Sequence, residues 1–240
     1  MYRTLDATRI IETLHQLQRR VSERFPGAGL AAVCAELTAI AEQAHARAQA
    51  IRRPDWVLRG LVGGVLLLGL ALLVSLGGIM LSSTRASDDL FGTLQGVDSA
   101  FNILVLMGAS LFFLVSLEDR RKRKLSLQAL HELQSIVHVI DMHQLTKDPS
   151  TEIGEAPPTE SSPVRVLTPD QMLRYLDYCS EMLSLASKVA ALYAQSYPDP
   201  VVTQSVSNIE RTATGLSQKI WQKINIIYRN IDALRGRALS

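Results

Sequence analysis

The stretch Leu61–Leu81, LVGGVLLLGLALLVSLGGIML, contains no ionisable side chain. At a rise of about 1.5 Å per residue, a helix of that length matches a hydrocarbon core of about 30 Å and reads as a transmembrane span. A second apolar run, Ala100–Leu117, AFNILVLMGASLFFLVSL, is slightly short by itself. Leu90, Phe91, Leu94 and Val97 extend its apolar face backwards at helical spacing, so span two is placed at about 97–117. The competing reading is a buried helix of a soluble protein. It meets the difficulty that two such runs with charged flanks are hard to cover in a chain of 240 residues.

Basic residues orient the pair. Arg47, Arg52, Arg53 and Arg59 precede span one, and Arg120, Arg121, Lys122, Arg123 and Lys124 follow span two, whereas the connection holds only Arg85 against Asp88, Asp89 and Asp98. The positive-inside rule then places both termini in the cytoplasm. Ser87 followed by Asp88 and Asp89 reads as an N-cap with an acidic first turn, so the second helix is expected to begin before the lipid. In span one, Gly60, Gly64, Ala71, Ser75 and Gly78 share a face, and small residues there let helix backbones approach closely. That stripe is suited to packing on span two of the same chain or on span one of another. Neither Leu61–Leu81 nor Ala100–Leu117 holds Asp, Glu, Lys, Arg or His, which disfavours proton relays and transporter sites. Asn102, Ser75 and Ser110 would line a polar path only if several copies assembled.

Outside the spans the periodicity stays helical. Leu5, Ile10, Leu14, Leu17 and Val21 predict a first helix ended by Pro26, Gly27 and Gly29, and Leu30, Val33, Leu37, Ile40, Ala44, Ala48 and Ile51 form a second, coiled-coil-like seam. Pro54 interrupts it before span one. From Ala109 to Lys147 there is neither proline nor glycine, and Leu130, Leu133, Val137 and Ile140 keep the three-four pattern, so span two is expected to run unbroken into the cytoplasm. Ala28 to Ile51 and Asp119 to Leu145 would each extend roughly 35 to 40 Å, matched for an antiparallel stalk. Residues 148–167, DPSTEIGEAPPTESSPVRVL, have linker composition. Thr168, Pro169 and Gln171 then supply an N-cap, a first-turn proline and a capping-box partner. Met172, Leu176, Cys179, Leu183, Ala186, Ala190 and Tyr193 line the next helix; Pro198, Asp199 and Pro200 turn the chain; Val202, Val206, Ile209, Ala213, Leu216, Ile220, Ile224, Ile227 and Ile231 line the last.

A net charge of +2 is too small to argue for nucleic acid. Cys34 and Cys179 have no ligand-like or redox spacing and read as small core residues. The first twenty-five residues carry Arg3, Arg9, Arg19, Arg20 and Arg24 without an apolar run, against a cleaved signal peptide. Among the histidines, His131 and His138 share a helix face but stand about 10 Å apart, too far for one Zn²⁺, and His143 is turned about 140° from His138. A metal site would therefore need His138 and Asp141 with ligands from another helix or subunit. Hydrogen bonds to neighbouring helices are the alternative role for these side chains. The basic run Arg120, Arg121, Lys122, Arg123 and Lys124 fixes topology and is able to touch anionic headgroups. No phosphate loop, dinucleotide fingerprint, zinc-protease, hydrolase or kinase signature is present, so neither an enzyme nor a cofactor is expected.

Two segments carry a resemblance: HELQSIVHVIDMHQLTKDP from His131 to Pro149, with YLDYCSEML from Tyr175. They look like a family of bacterial inner-membrane proteins that brings no activity with it. The layout of two spans with cytoplasmic helices resembles the SLATT class, two-span proteins tied to nucleotide-signalling and conflict systems and proposed to form pores.

The expectation is an all-α integral membrane protein, a two-helix transmembrane hairpin continuing into a cytoplasmic antiparallel helical stalk and bundle. Its parts would be an N-terminal helical hairpin (1–54), the transmembrane hairpin (55–118), a juxtamembrane helix (119–147), a linker (148–167) and a C-terminal αα-hairpin (168–240). The partners expected are the lipid bilayer and a protein partner or further copies bound through the cytoplasmic helices. The function expected is a non-enzymatic scaffold or sensor of the bacterial inner membrane, or else an oligomeric pore.

Overall fold

The computed structural model describes residues 4–83, 90–147, 160 and 167–238. The expected cap at Ser87 and nearly all of the Pro-rich stretch 148–167 lie outside the described residues. Among them the only regular structure is six α-helices: α1 (Ala7–Arg24), α2 (Gly29–Arg52), α3 (Trp56–Ser83), α4 (Leu90–Leu145), α5 (Pro169–Ser196) and α6 (Pro200–Ala238). Two compact units result. One is built from Met1–Arg52 with Leu125–Ser240, and the other from Arg53–Lys124. Helix α4 contributes residues to both.

The larger unit is a bundle of α1, α2, the end of α4, α5 and α6. Helix α1 starts two residues later than its apolar spacing from Leu5 suggests, because Asp6 caps it, its side chain accepting from the Thr8 N–H at 3.0 Å. Leu5 therefore stays outside the helix. Its backbone N–H donates to the Gln195 side chain at 2.8 Å, and its carbonyl accepts from the same amide at 3.2 Å. At the other end the Phe25 N–H closes on the Val21 carbonyl, and Gly27 takes φ +73°, a backbone region that costs other residues a Cβ clash. Phe25 itself is buried.

The seams of α2 and α6 face the core, as do Leu130, Leu133, Val137 and Ile140 of α4. Helix α5 is different in kind. Besides the seam from Met172 to Tyr193, it buries Leu173, Tyr178, Met182, Leu185, Val189 and Leu192 on its other sides. It packs on α1, α2 and α6 and is the central helix of the bundle. Its start is fixed locally: the Thr168 hydroxyl accepts from the Gln171 N–H, the Gln171 side chain accepts from the Thr168 N–H, and Pro169 opens the first turn. Its end turns into α6 at Asp199, whose carboxylate accepts from the N–H groups of Val201 and Val202.

The second unit holds α3 and the first part of α4. Among the described residues, two helical stretches are long and apolar enough to cross a membrane, with best windows of mean hydropathy 2.4 and 2.2, of which only 6% and 0% is buried. Leu67, Leu68, Phe112 and Phe113 are all exposed. Burying one such side chain is worth about 1.5–3 kcal/mol.

Candidate functional site

The two sequence segments singled out above, the first in its described part His131–Lys147 and the second the run from Tyr175, meet in space where α4 ends against α2, α5 and α6. Helical phase carries Gln144 inward from the last turn of α4, with Asp141 and His143 half-buried beside it. The Tyr175 hydroxyl lies 3.3 Å from His143 Nδ1. The other side of the imidazole presses on Gly29, the first residue of α2, where an added Cβ would stand 2.6 Å from the ring. Gln144 is 1% exposed; its Nε2 donates to Asp141 at 2.6 Å, and its backbone carbonyl accepts from Lys223 Nζ of α6 at 2.8 Å. The Gln144 Oε1 has no protein partner. One turn of α4 thus touches three other helices.

An aromatic chain continues from that point. Lys147 Nζ lies 5.2 Å above the Tyr175 ring, Phe25 meets Tyr175 and Tyr178 edge-on at 5.5 and 6.2 Å, and the Arg20 guanidinium sits 5.6 Å over Tyr178. Arg20 also pairs with Glu181. Further along, Arg47 of α2 bonds Glu132 of α4 at 2.8 Å, with α2 and α4 running antiparallel between this pair and the Gly29–His143 contact.

The electrostatics suit a structural and switchable cluster better than a nucleophile. Burial, with the Lys147 charge second, holds the His143 imidazole below its ordinary value and therefore neutral. Burial raises the Tyr175 hydroxyl well above the usual phenol range, so it stays protonated beside His143 Nδ1. The thiols are pushed up to about 11 at Cys34 and about 12 at Cys179, burial being the first cause at each, and both are free and buried. Thiols held that high are inert core groups at neutral pH.

The remaining candidates fall as follows. His138 and His131 are exposed, and Asp141 is engaged by Gln144. No three His, Cys, Asp or Glu side chains among the described residues are grouped to hold a metal. In the span stripe, Gly60, Gly64 and Gly78 have nothing within 4 Å of a would-be Cβ, and Ala71 and Ser75 are exposed. The buried glycine of α3 is Gly69, where a Cβ would overlap the Met107 sulfur of α4. Of the basic run, Arg121 reaches Asp55 at 3.2 Å and Lys122 reaches Glu118 at 2.6 Å, while Arg120 and Lys124 are exposed.

A groove of about 580 Å³ opens between α1, α5 and α6. Ile10, Leu185, Ile220 and Ile224 give it apolar walls, and Trp221, 62% exposed, adds an indole. No local sequence pattern foretells it, because its walls come from three helices far apart in the chain. No family model, curated protein or solved structure matches this chain.

Proposed function

We propose that this protein is a non-enzymatic scaffold or sensor of the bacterial inner membrane, with both termini cytoplasmic, whose helical bundle binds a protein partner or further copies. The observation that carries the reading is helix α4: one helix, Leu90–Leu145, has an almost wholly uncovered apolar part and a later part that supplies Leu130, Leu133, Val137 and Ile140 to a packed core. Uncovered apolar helices of this length call for lipid. Basic residues flanking them orient the hairpin, and α2 with the end of α4 forms the stalk that carries a bundle signal to the spans. The groove holding Trp221 is the partner surface of this reading, since exposed aromatics in apolar grooves are typical anchors. Alkaline extraction of membranes, topology fusions at both termini, and in-cell crosslinking test it. Release at alkaline pH, or a strictly monomeric chain without crosslinks, would end it.

A second reading, an oligomeric pore of the SLATT-like kind, is supported by the open face of Gly60, Gly64, Ala71, Ser75 and Gly78, which leaves α3 free to pack on another copy. Liposomes that stay ion-tight with the protein inserted, with and without nucleotides, would exclude it.

A further inference from the structure

At one end of the two apolar helices, α3 and α4 are clasped by charge. The Asp55 N–H approaches Glu118 Oε1 at 3.5 Å, Arg121 lies 3.2 Å from the Asp55 carboxylate, and Lys122 lies 2.6 Å from that of Glu118. The two acids are tucked in, 30% and 18% exposed, and each holds a base of the run that follows α4's apolar part. The same end carries seven basic residues, Arg53, Arg59 and the run Arg120 to Lys124, against three acids, Asp55, Glu118 and Asp119, a net of four positive charges. Arg121 stays 73% exposed while paired, and a guanidinium has five N–H donors, of which Asp55 takes one. Beside the clasp stand Trp56 and Val57, 75% and 80% exposed, an indole where an interfacial aromatic would sit.

Resting on the membrane reading above, we propose that this clasp is a binding site for the phosphate of anionic phospholipid headgroups, with Trp56 seated among them. The exposed guanidinium groups supply bidentate donors matched to a phosphate oxygen pair. The net positive field selects against zwitterionic headgroups, which carry their own cation. The acids beneath keep the bases splayed on both helices, so the site belongs to the hairpin rather than to one basic run.

Trp56 is its own reporter. The chain holds two tryptophans, and Trp221→Phe leaves Trp56 as the sole indole. The full-length W221F protein is reconstituted in vesicles of phosphatidylcholine and phosphatidylglycerol of one fixed composition, with bromine label on either lipid. Each basic residue near the surface enriches anionic lipid by roughly fivefold, so per mole the brominated phosphatidylglycerol should quench Trp56 at least about fivefold more than the brominated phosphatidylcholine. Adding Arg120→Gln, Arg121→Gln and Lys124→Gln, which removes the exposed donors of the site and leaves the Lys122–Glu118 pair in place, should bring that ratio toward one. Equal quenching by the two lipids overturns the proposal, and so does an anionic preference that survives the triple substitution. Quenching by neither lipid, with release at alkaline carbonate, removes the membrane reading and the proposal with it.

Discussion

Leu133→Ala should open the bundle measurably without touching either apolar helix window. Leu133 is 0% exposed in the cluster that also holds Cys179. Removing its three terminal carbons loses about 0.8 kcal/mol each, and the cavity left behind brings the cost to about 2–5 kcal/mol. Buried Cys179 reports the opening: in a Cys34→Ala background it is the single thiol, and a disulfide reagent reaches it only when the core parts. Where closing outpaces labelling, the rate follows the open population, so the substitution should accelerate labelling by roughly thirtyfold to several thousandfold. The matched control is Leu145→Ala at the end of the same helix, 60% exposed, which should leave the rate unchanged. If Leu133→Ala labels no faster than Leu145→Ala, the α4 seam is not part of the core and its coupling role fails.

Gly69→Val should overpack the α3–α4 contact by about 1–3 kcal/mol in detergent unfolding, and Met107→Ala should relieve it; strictly additive effects would contradict the contact. His143 is held below its ordinary value near 6.5, so its contribution is whole above that pH and is lost as pH falls through it, when the unfolded chain takes a proton that the folded site refuses. Melting temperature should therefore decline on acidification from pH 7, and His143→Gln should flatten the profile. Thr168→Ala removes half of the α5 capping box and should cost about 1 kcal/mol, read as faster amide exchange in the first turn of α5. The Arg20–Glu181 pair is about half exposed on both sides, and a double-mutant cycle in melting experiments should return less than about 1 kcal/mol.

Where one face of a helix is buried, spacing alone located it. The seams of α1, α2 and α6, with Leu130 to Ile140 of α4, were legible for that reason, and the Thr168–Gln171 box was legible because capping is local. Helix α5 was read only in part. A search for one stripe finds Leu176, Cys179 and Leu183, yet a central helix is apolar on most sides, and Leu173, Tyr178 and Leu185 complete it. The helix contact of α3 was missed for a related reason: where every face is apolar, periodicity carries no phase, and glycine spacing pointed to Gly60 and Gly64 instead of Gly69. The site at His143 depends on Tyr175, Gly29 and Lys223, which lie on three other helices, and no local pattern brings those together.

The bundle is discontinuous in sequence, and this has a consequence for how the protein is made. Helices α1 and α2 leave the ribosome with Leu14, Leu17, Leu30 and Leu37 already committed to a core whose central helix has not been synthesised. At about 5–20 residues per second, α5 follows α2 by roughly 5 to 30 s, and the two most apolar helical stretches emerge in between. The apolar faces of the first helix pair that α5 covers therefore find their partner only after that interval.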